Sequence, residues 1–264
     1  MRWIVAIVTA ILIVLSVSRV AGATGADWML EVVLDGRKVE GAPLGWDDQR
    51  VRFLGRDGRL WTFAPDKAQS FRKTADRFRP YSVSELRAAL LREMGSGFEA
   101  TGTGHYLVVH PRGTRDLWAA RFEELYRSMV HYFSVRGFRT SEPAFPLVAI
   151  VCRDQAEFAR YAAKEGTPAG GGVLGYYSSE SNRIALFDSG GGKSDAADWR
   201  RNAATVIHEA AHQTAFNTGI HNRYAPPPLW LAEGLATMFE APGVHDARSH
   251  PARSDRINRG RLDH

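Results

Sequence analysis

Cysteine is all but missing from this chain. Cys152 stands alone among 264 residues, so no internal disulfide can form and the fold must rest on its core or on a metal. Long apolar runs are scarce too. The longest, Trp3 to Val17, spans 15 residues and is broken by Thr9 and Ser16, short of the roughly 20 that a membrane-spanning helix needs. Net charge is only +5, with no arginine- or aromatic-rich recognition motif, so nothing favours nucleic acid as a partner. Internal repeats and long low-complexity stretches are absent as well. What remains, 44% hydrophobic and 24% charged, is the composition of a globular protein long enough for one sizeable domain and a small one.

Residues 1–23 have the form of an export signal. Arg2 precedes the apolar run, and Ala21-Gly22-Ala23 supplies a small-residue cleavage site. The expected mature protein is exported, to the periplasm, envelope or extracellular space. If the segment is retained it serves as an anchor, the only membrane attachment expected. No cysteine follows the run, so a lipid-modified terminus is not expected.

Two composition changes divide the rest. Residues 27–80 read as a small antiparallel β module and linker. Its alternating runs "WMLEVVL", "QRVRFLG" and "RLWTF" are separated by the turn pairs Asp35-Gly36 and Asp57-Gly58. Residues 81–264 read as the main domain. It opens with Ser82 three residues before Glu85, a capping box for a helix ending at Gly95. Strand "HYLVVH", the helix "TRDLWAARFEELYRSMVHYF", strand "PLVAIVC" and a helix capped by Asp154 follow. Then "GVLGYY" and "NRIALFD" flank a polar turn as a hairpin. The order predicts an α+β fold, one mixed sheet with helices packed on it. Cys152, in an apolar strand, is expected to be an inert buried thiol.

The chemistry lies in "VIHEAAHQTAF", residues 206–216. On a helix, residues four apart share a face, so His208 and His212 can aim ring nitrogens at one ion. Zinc accepts imidazole in that way, and Glu209 is placed to take a proton from water. A catalytic zinc needs a third protein ligand. His221 follows nine residues after His212, and Glu233 lies on a helix expected to begin at Leu229, after Pro226, Pro227 and Pro228. Glu233 is the better placed, a lone acid within "WLAEGLA".

"HEAAH" followed by "WLAEGLA" resembles the gluzincin metallopeptidases of the peptidase-MA-like superfamily. From about Phe71 onward the chain is also similar to a bacterial family of peptidase-like proteins known only as a domain of unknown function. The motifs carrying that second likeness are "RPYSVSELRAALLREMG", "GHYLVVHP", "GGVLGYY", "HEAAHQTAFNTGI" and "PLWLAEGLATMFE". The resemblance implies a zincin-like fold, one Zn²⁺ held by His208, His212 and Glu233, and Glu209 as general base. It implies a peptide or protein substrate, paired with the free edge of strand Asn182–Asp188 through Asn182, Ile184 and Leu186.

The chain also departs from that pattern. Gluzincins often place an aspartate four residues after the ligand glutamate to orient the first histidine. Thr237 stands there, and Glu240 is the alternative. A downstream tyrosine or histidine that stabilises the oxyanion is not evident; Tyr224, His245 and His250 are the candidates. Members of the family continue with further helices, so a truncated lower subdomain is expected. The expected function is zinc-dependent peptide hydrolysis, and the alternative is a non-catalytic envelope protein of the same fold used for binding or structure.

Overall fold

The computed structural model describes residues 28–113, 118–167, 172–188 and 196–262. The expected export signal lies outside the described residues. Among these, no helix is long and apolar enough to cross a membrane. The chain is α+β and divides into two compact units, Met1–Arg56 with Trp61–Arg79, and Asp57–Leu60 with Pro80–His264.

The first unit is built on a five-stranded sheet: β1 (Met29–Leu34), β2 (Arg37–Trp46), β3 (Val51–Gly55), β4 (Leu60–Phe63) and β5 (Ala68–Ala75), in the order β4-β3-β2-β1-β5. Alternation puts Val32, Leu34, Val51 and Phe53 on one buried face. Strand β5 is an addition to the expected hairpins. It pairs antiparallel with β1, and its exposed, polar "AQSFRKTA" carries no alternation to betray it.

The second unit is built on another five-stranded sheet: β6 (Phe98–Gly102), β7 (Tyr106–Pro111), β8 (Leu147–Cys152), β9 (Gly175–Ser178) and β10 (Arg183–Phe187). The spatial order is β6-β7-β8-β10-β9. Strands β7, β8 and β10 run parallel, while β6 and β9 pair antiparallel with β7 and β10. Helices cover both faces, so β8 is buried at every residue, as a central parallel strand requires. On one face Tyr106, Val108, Ala149, Ile184 and Leu186 meet α2 (Trp118–Ser134) and α4 (Ala196–Asn217) through Phe122, Tyr126, Val206 and Ala210. On the other, Leu107, Val148, Ile150 and Phe187 meet α1 (Val83–Met94) and α3 (Gln155–Lys164) through Leu86, Leu90, Phe158 and Tyr161. Each large side chain so buried is worth about 1.5–3 kcal/mol. The Ser82–Glu85 capping box forms, and Asp154 caps α3 through the Glu157 N–H.

One expectation is overturned. Strand β10 is not an edge, because β8 and β9 flank it on either side. Ile184 and Leu186 are buried in the core, and Asn182 is tied to Tyr177 and Asn217 by hydrogen bonds. None of the three is available to a substrate. Among the described residues, the edge on that side of the sheet is β9.

Candidate metal centre

Helix α4 carries the histidines because it is packed on two sides. Val206 and Ala210 face the sheet, while Ile207, Ala211 and Ala215 face α5 (Leu229–Phe239) through Ala236 and Phe239. Alanines on that second side let α5 come close. Its start at Leu229 follows from the three prolines, with Pro228 as the capping residue. Deeper down, Gln213 Nε2 donates to the carbonyls of Val148 and Asn182, at 3.1 and 2.9 Å. Asn217 and Asn182 exchange amide hydrogen bonds at 2.8 and 2.9 Å. The helix is thereby fixed to β8 and to the start of β10.

Ligand atoms of three residues converge beside this helix. His208 Nε2 lies 3.1 Å from His212 Nε2 and 3.2 Å from Glu233 Oε2, and His212 Nε2 lies 3.4 Å from Glu233 Oε1. Ligands at roughly 2.0–2.1 Å from a tetrahedral zinc stand about 3.3 Å from one another. Each histidine meets a different oxygen of Glu233 near that spacing, and one ligand atom from each residue lies within 4.8 Å of the others, close enough to hold that ion. Two imidazoles and a carboxylate also suit zinc in donor type. Among the described residues, His208, His212 and Glu233 are the group able to hold a metal. Glu233 is half-exposed, with 48% of its side chain open to solvent, which leaves room for a further ligand.

The protonation states suit ligation. His208 Nδ1 lies 2.7 Å from Glu240 Oε1. A carboxylate can only accept there, so Nδ1 carries a proton and Nε2 is the nitrogen turned toward His212 and Glu233. Burial, and then the nearby His208, push His212 down to about 4, which keeps its ring neutral at pH 7. Burial works against the charge on Glu240, but Arg261, Asn258 and His208 outweigh it, and its carboxyl lies below its ordinary range.

Glu209 sits one residue round the helix. Its Oε2 accepts the Tyr177 backbone N–H at 2.7 Å. That N–H points away from β10, so the outer edge of β9 faces Glu209. Close approach is built in at Gly175: a Cβ there would lie 2.9 Å from Leu186 Cβ and 3.0 Å from Thr205 Cγ2 of α4. Burial raises the Glu209 carboxyl to about 7, with His208 and the Tyr177 N–H opposing the shift. A group poised near neutrality can both accept and return a proton.

Other expected residues fall elsewhere. His221 packs on Phe216 with its Nε2 buried, outside the ligand group. His208 is held by Glu240; at Thr237 it is the main-chain carbonyl that is engaged, by Asn258. His245 Nδ1 is turned to the Phe239 carbonyl, His250 faces Asp246, and Tyr224 is an exposed ring. Sequence reasoning missed the Tyr177 N–H, which has no side-chain signature. It also missed Asn258 and Arg261, whose polar surroundings read as solvated tail.

One family profile, described as a protein of unknown function (DUF1570), matches residues 202–264. That span contains the ligand group, Glu209, Glu240, Asn258 and Arg261. No curated protein and no solved structure matches the chain.

Proposed function

We propose that this chain is an exported zinc-dependent hydrolase, a gluzincin-like peptidase of zincin-like architecture that cleaves peptide bonds with metal-activated water. The convergence of His208, His212 and Glu233, with one ligand atom from each within 4.8 Å of the others, carries the reading. Zinc, when bound, supplies a Lewis acid that polarises a carbonyl and makes water acidic. The chain's own residues do the rest. Glu209 Oε2 is anchored by Tyr177, which leaves Oε1 to take a proton from water and pass it to the leaving amine. Strand β9 offers its outer edge to an extended peptide, whose backbone would run past Glu209.

The alternative, a binding protein that keeps the metal without the reaction, draws on Tyr224, His245 and His250, which make other contacts and are not members of the ligand group. Metal analysis tests the reading. Freshly purified, unchelated protein should carry close to one zinc per chain, His208→Ala or His212→Ala should carry none, and Glu233→Ala should hold it weakly. Wild type without zinc, or loss of zinc in His221→Ala with full retention in Glu233→Ala, would sink it. Tight zinc with no cleavage across a broad peptide library would favour the binding protein.

A further inference from the structure

We infer that the segment Ala252–Leu262 is a clamp that aims the metal ligand His208 through Glu240; the inference rests on the zinc reading and deepens it. Glu240 ends α5, seven residues after Glu233 and on the same face, and its side chain is only 6% exposed. Both of its oxygens are filled. Oε1 accepts from His208 Nδ1 at 2.7 Å and from an Arg261 terminal nitrogen at 2.8 Å. Oε2 accepts from Arg261 Nε at 3.0 Å and from Asn258 Nδ2 at 2.9 Å. The arginine thus grips the carboxylate with two parallel bonds, the geometry a planar guanidinium provides and an ammonium does not. Asn258 Nδ2 also reaches the Thr237 carbonyl, at 3.0 Å, tying the grip to the α5 backbone.

The path of the clamp is fixed from behind. A 3₁₀ turn, Arg253–Arg256, lies against α6 (Pro242–His245). A Cβ built on Gly243 would stand 2.8 Å from the Asp255 carbonyl carbon and 2.9 Å from the Arg256 nitrogen. The turn can pass there only because Gly243 has no side chain.

The Arg261 side chain is 56% exposed, so this ion pair adds little to folding stability. Its effect falls on direction instead. An ungripped glutamate has three free torsions, whereas a gripped one holds a single acceptor opposite His208 Nδ1 and fixes both the ring's tautomer and its aim. Arg261, Asn258 and Glu240 are therefore positioning residues.

The test uses the full chain and Arg261→Met, Arg261→Lys and Gly243→Ala. In metal-free, histidine-labelled protein, ring nitrogen shifts should report the Nδ1–H tautomer of His208 in wild type and a mixture of tautomers in Arg261→Met. Zinc affinity, read by competition with a chromophoric chelator, should fall about 10-fold in Arg261→Met, toward the 10–100-fold range of lost orienting partners. Arg261→Lys should recover only part of it. Gly243→Ala, which touches no charge, should reproduce the loss, and the Arg261 variants should keep the wild-type denaturant midpoint. An unchanged His208 tautomer in Arg261→Met would overturn the clamp whether or not zinc binds. Wild-type zinc affinity in both Arg261→Met and Gly243→Ala would overturn it and leave the zinc reading standing.

Discussion

Around Glu123 the carboxylate meets hydroxyl, amide, imidazole and guanidinium donors, whereas around Glu233 it meets two histidine ring nitrogens that also meet each other. Glu123, on α2, receives the Thr103 hydroxyl at 2.8 Å, the His105 backbone N–H at 2.9 Å, His105 Nδ1 at 2.9 Å and Arg127 Nε at 2.8 Å. Its side chain is 9% exposed. Both clusters combine histidine with glutamate in the same unit. In the first, hydroxyl, amide and guanidinium consume the carboxylate's lone pairs, so the cluster joins α2 to the loop before β7. In the second, two imidazole nitrogens and a carboxylate lie within 3.1–3.4 Å of one another, a group that could hold a metal. Residue type alone does not separate a ligand set from a structural knot; the count of donors does.

The largest effect should come from Glu209. Glu209→Gln keeps the ligands and should keep zinc and folding stability, while peptide hydrolysis falls by about 10²–10⁴-fold. Single-turnover assays on a peptide that wild type cleaves measure it, and undiminished turnover would remove Glu209 from the chemistry.

Breaking the saturated cluster should produce the opposite phenotype. Glu123→Gln leaves donors poorly matched in a buried place and should cost about 1–3 kcal/mol of stability, with zinc content unchanged. The acid response has a definite sign. Burial opposes the Glu123 charge, but bonds from His105, Thr103 and Arg127 outweigh it and draw the carboxyl from 4.5 to about 2. A depressed pKa contributes stability that is full above about 4.5 and is lost as pH falls toward about 2. Urea midpoints at pH 7 and pH 3.5 should therefore diverge less in Glu123→Gln than in wild type. Equal divergence would assign the acid sensitivity to other groups.

The smallest effect sharpens the comparison at its rim. Glu142, 83% exposed, meets His105 Nε2 at 3.2 Å from the solvent side. Glu142→Ala should change stability by no more than about 0.5 kcal/mol, within the scatter of surface substitutions in a thermal melt. A larger loss would make the knot depend on its exposed half.

Much of this was legible in the sequence because the signals were local. His208, Glu209 and His212 share one helical turn, and three prolines dictated where the helix bearing Glu233 begins. The hairpin of β9 and β10 was legible too, but not which of its strands lies at the edge. That depends on whether β10 or β9 pairs with β8, some 30 residues away in sequence, which local pattern does not encode. Strand β6, "FEATG", is too short to alternate visibly, and β5 is too polar. The choice of Glu240 over Thr237 needed the reach of a longer side chain across two turns. The donors that hold Glu240 sit 18 and 21 residues further on, in a stretch whose composition reads as solvent-exposed.

Gln213 has a thermodynamic consequence. Its two hydrogen bonds to β8 and to the start of β10, with Ala215 and Val206 packed on either side, anchor α4 through contacts that involve none of the ligand residues. Such a helix differs from a zinc finger, where metal uptake is itself the folding reaction. An ion entering this chain would find its ligands already arranged and bury little new apolar surface. The heat-capacity change of unfolding would stay as it is, and the unfolding free energy would rise only through occupancy, by about 2.7 kcal/mol at a hundredfold excess over Kd.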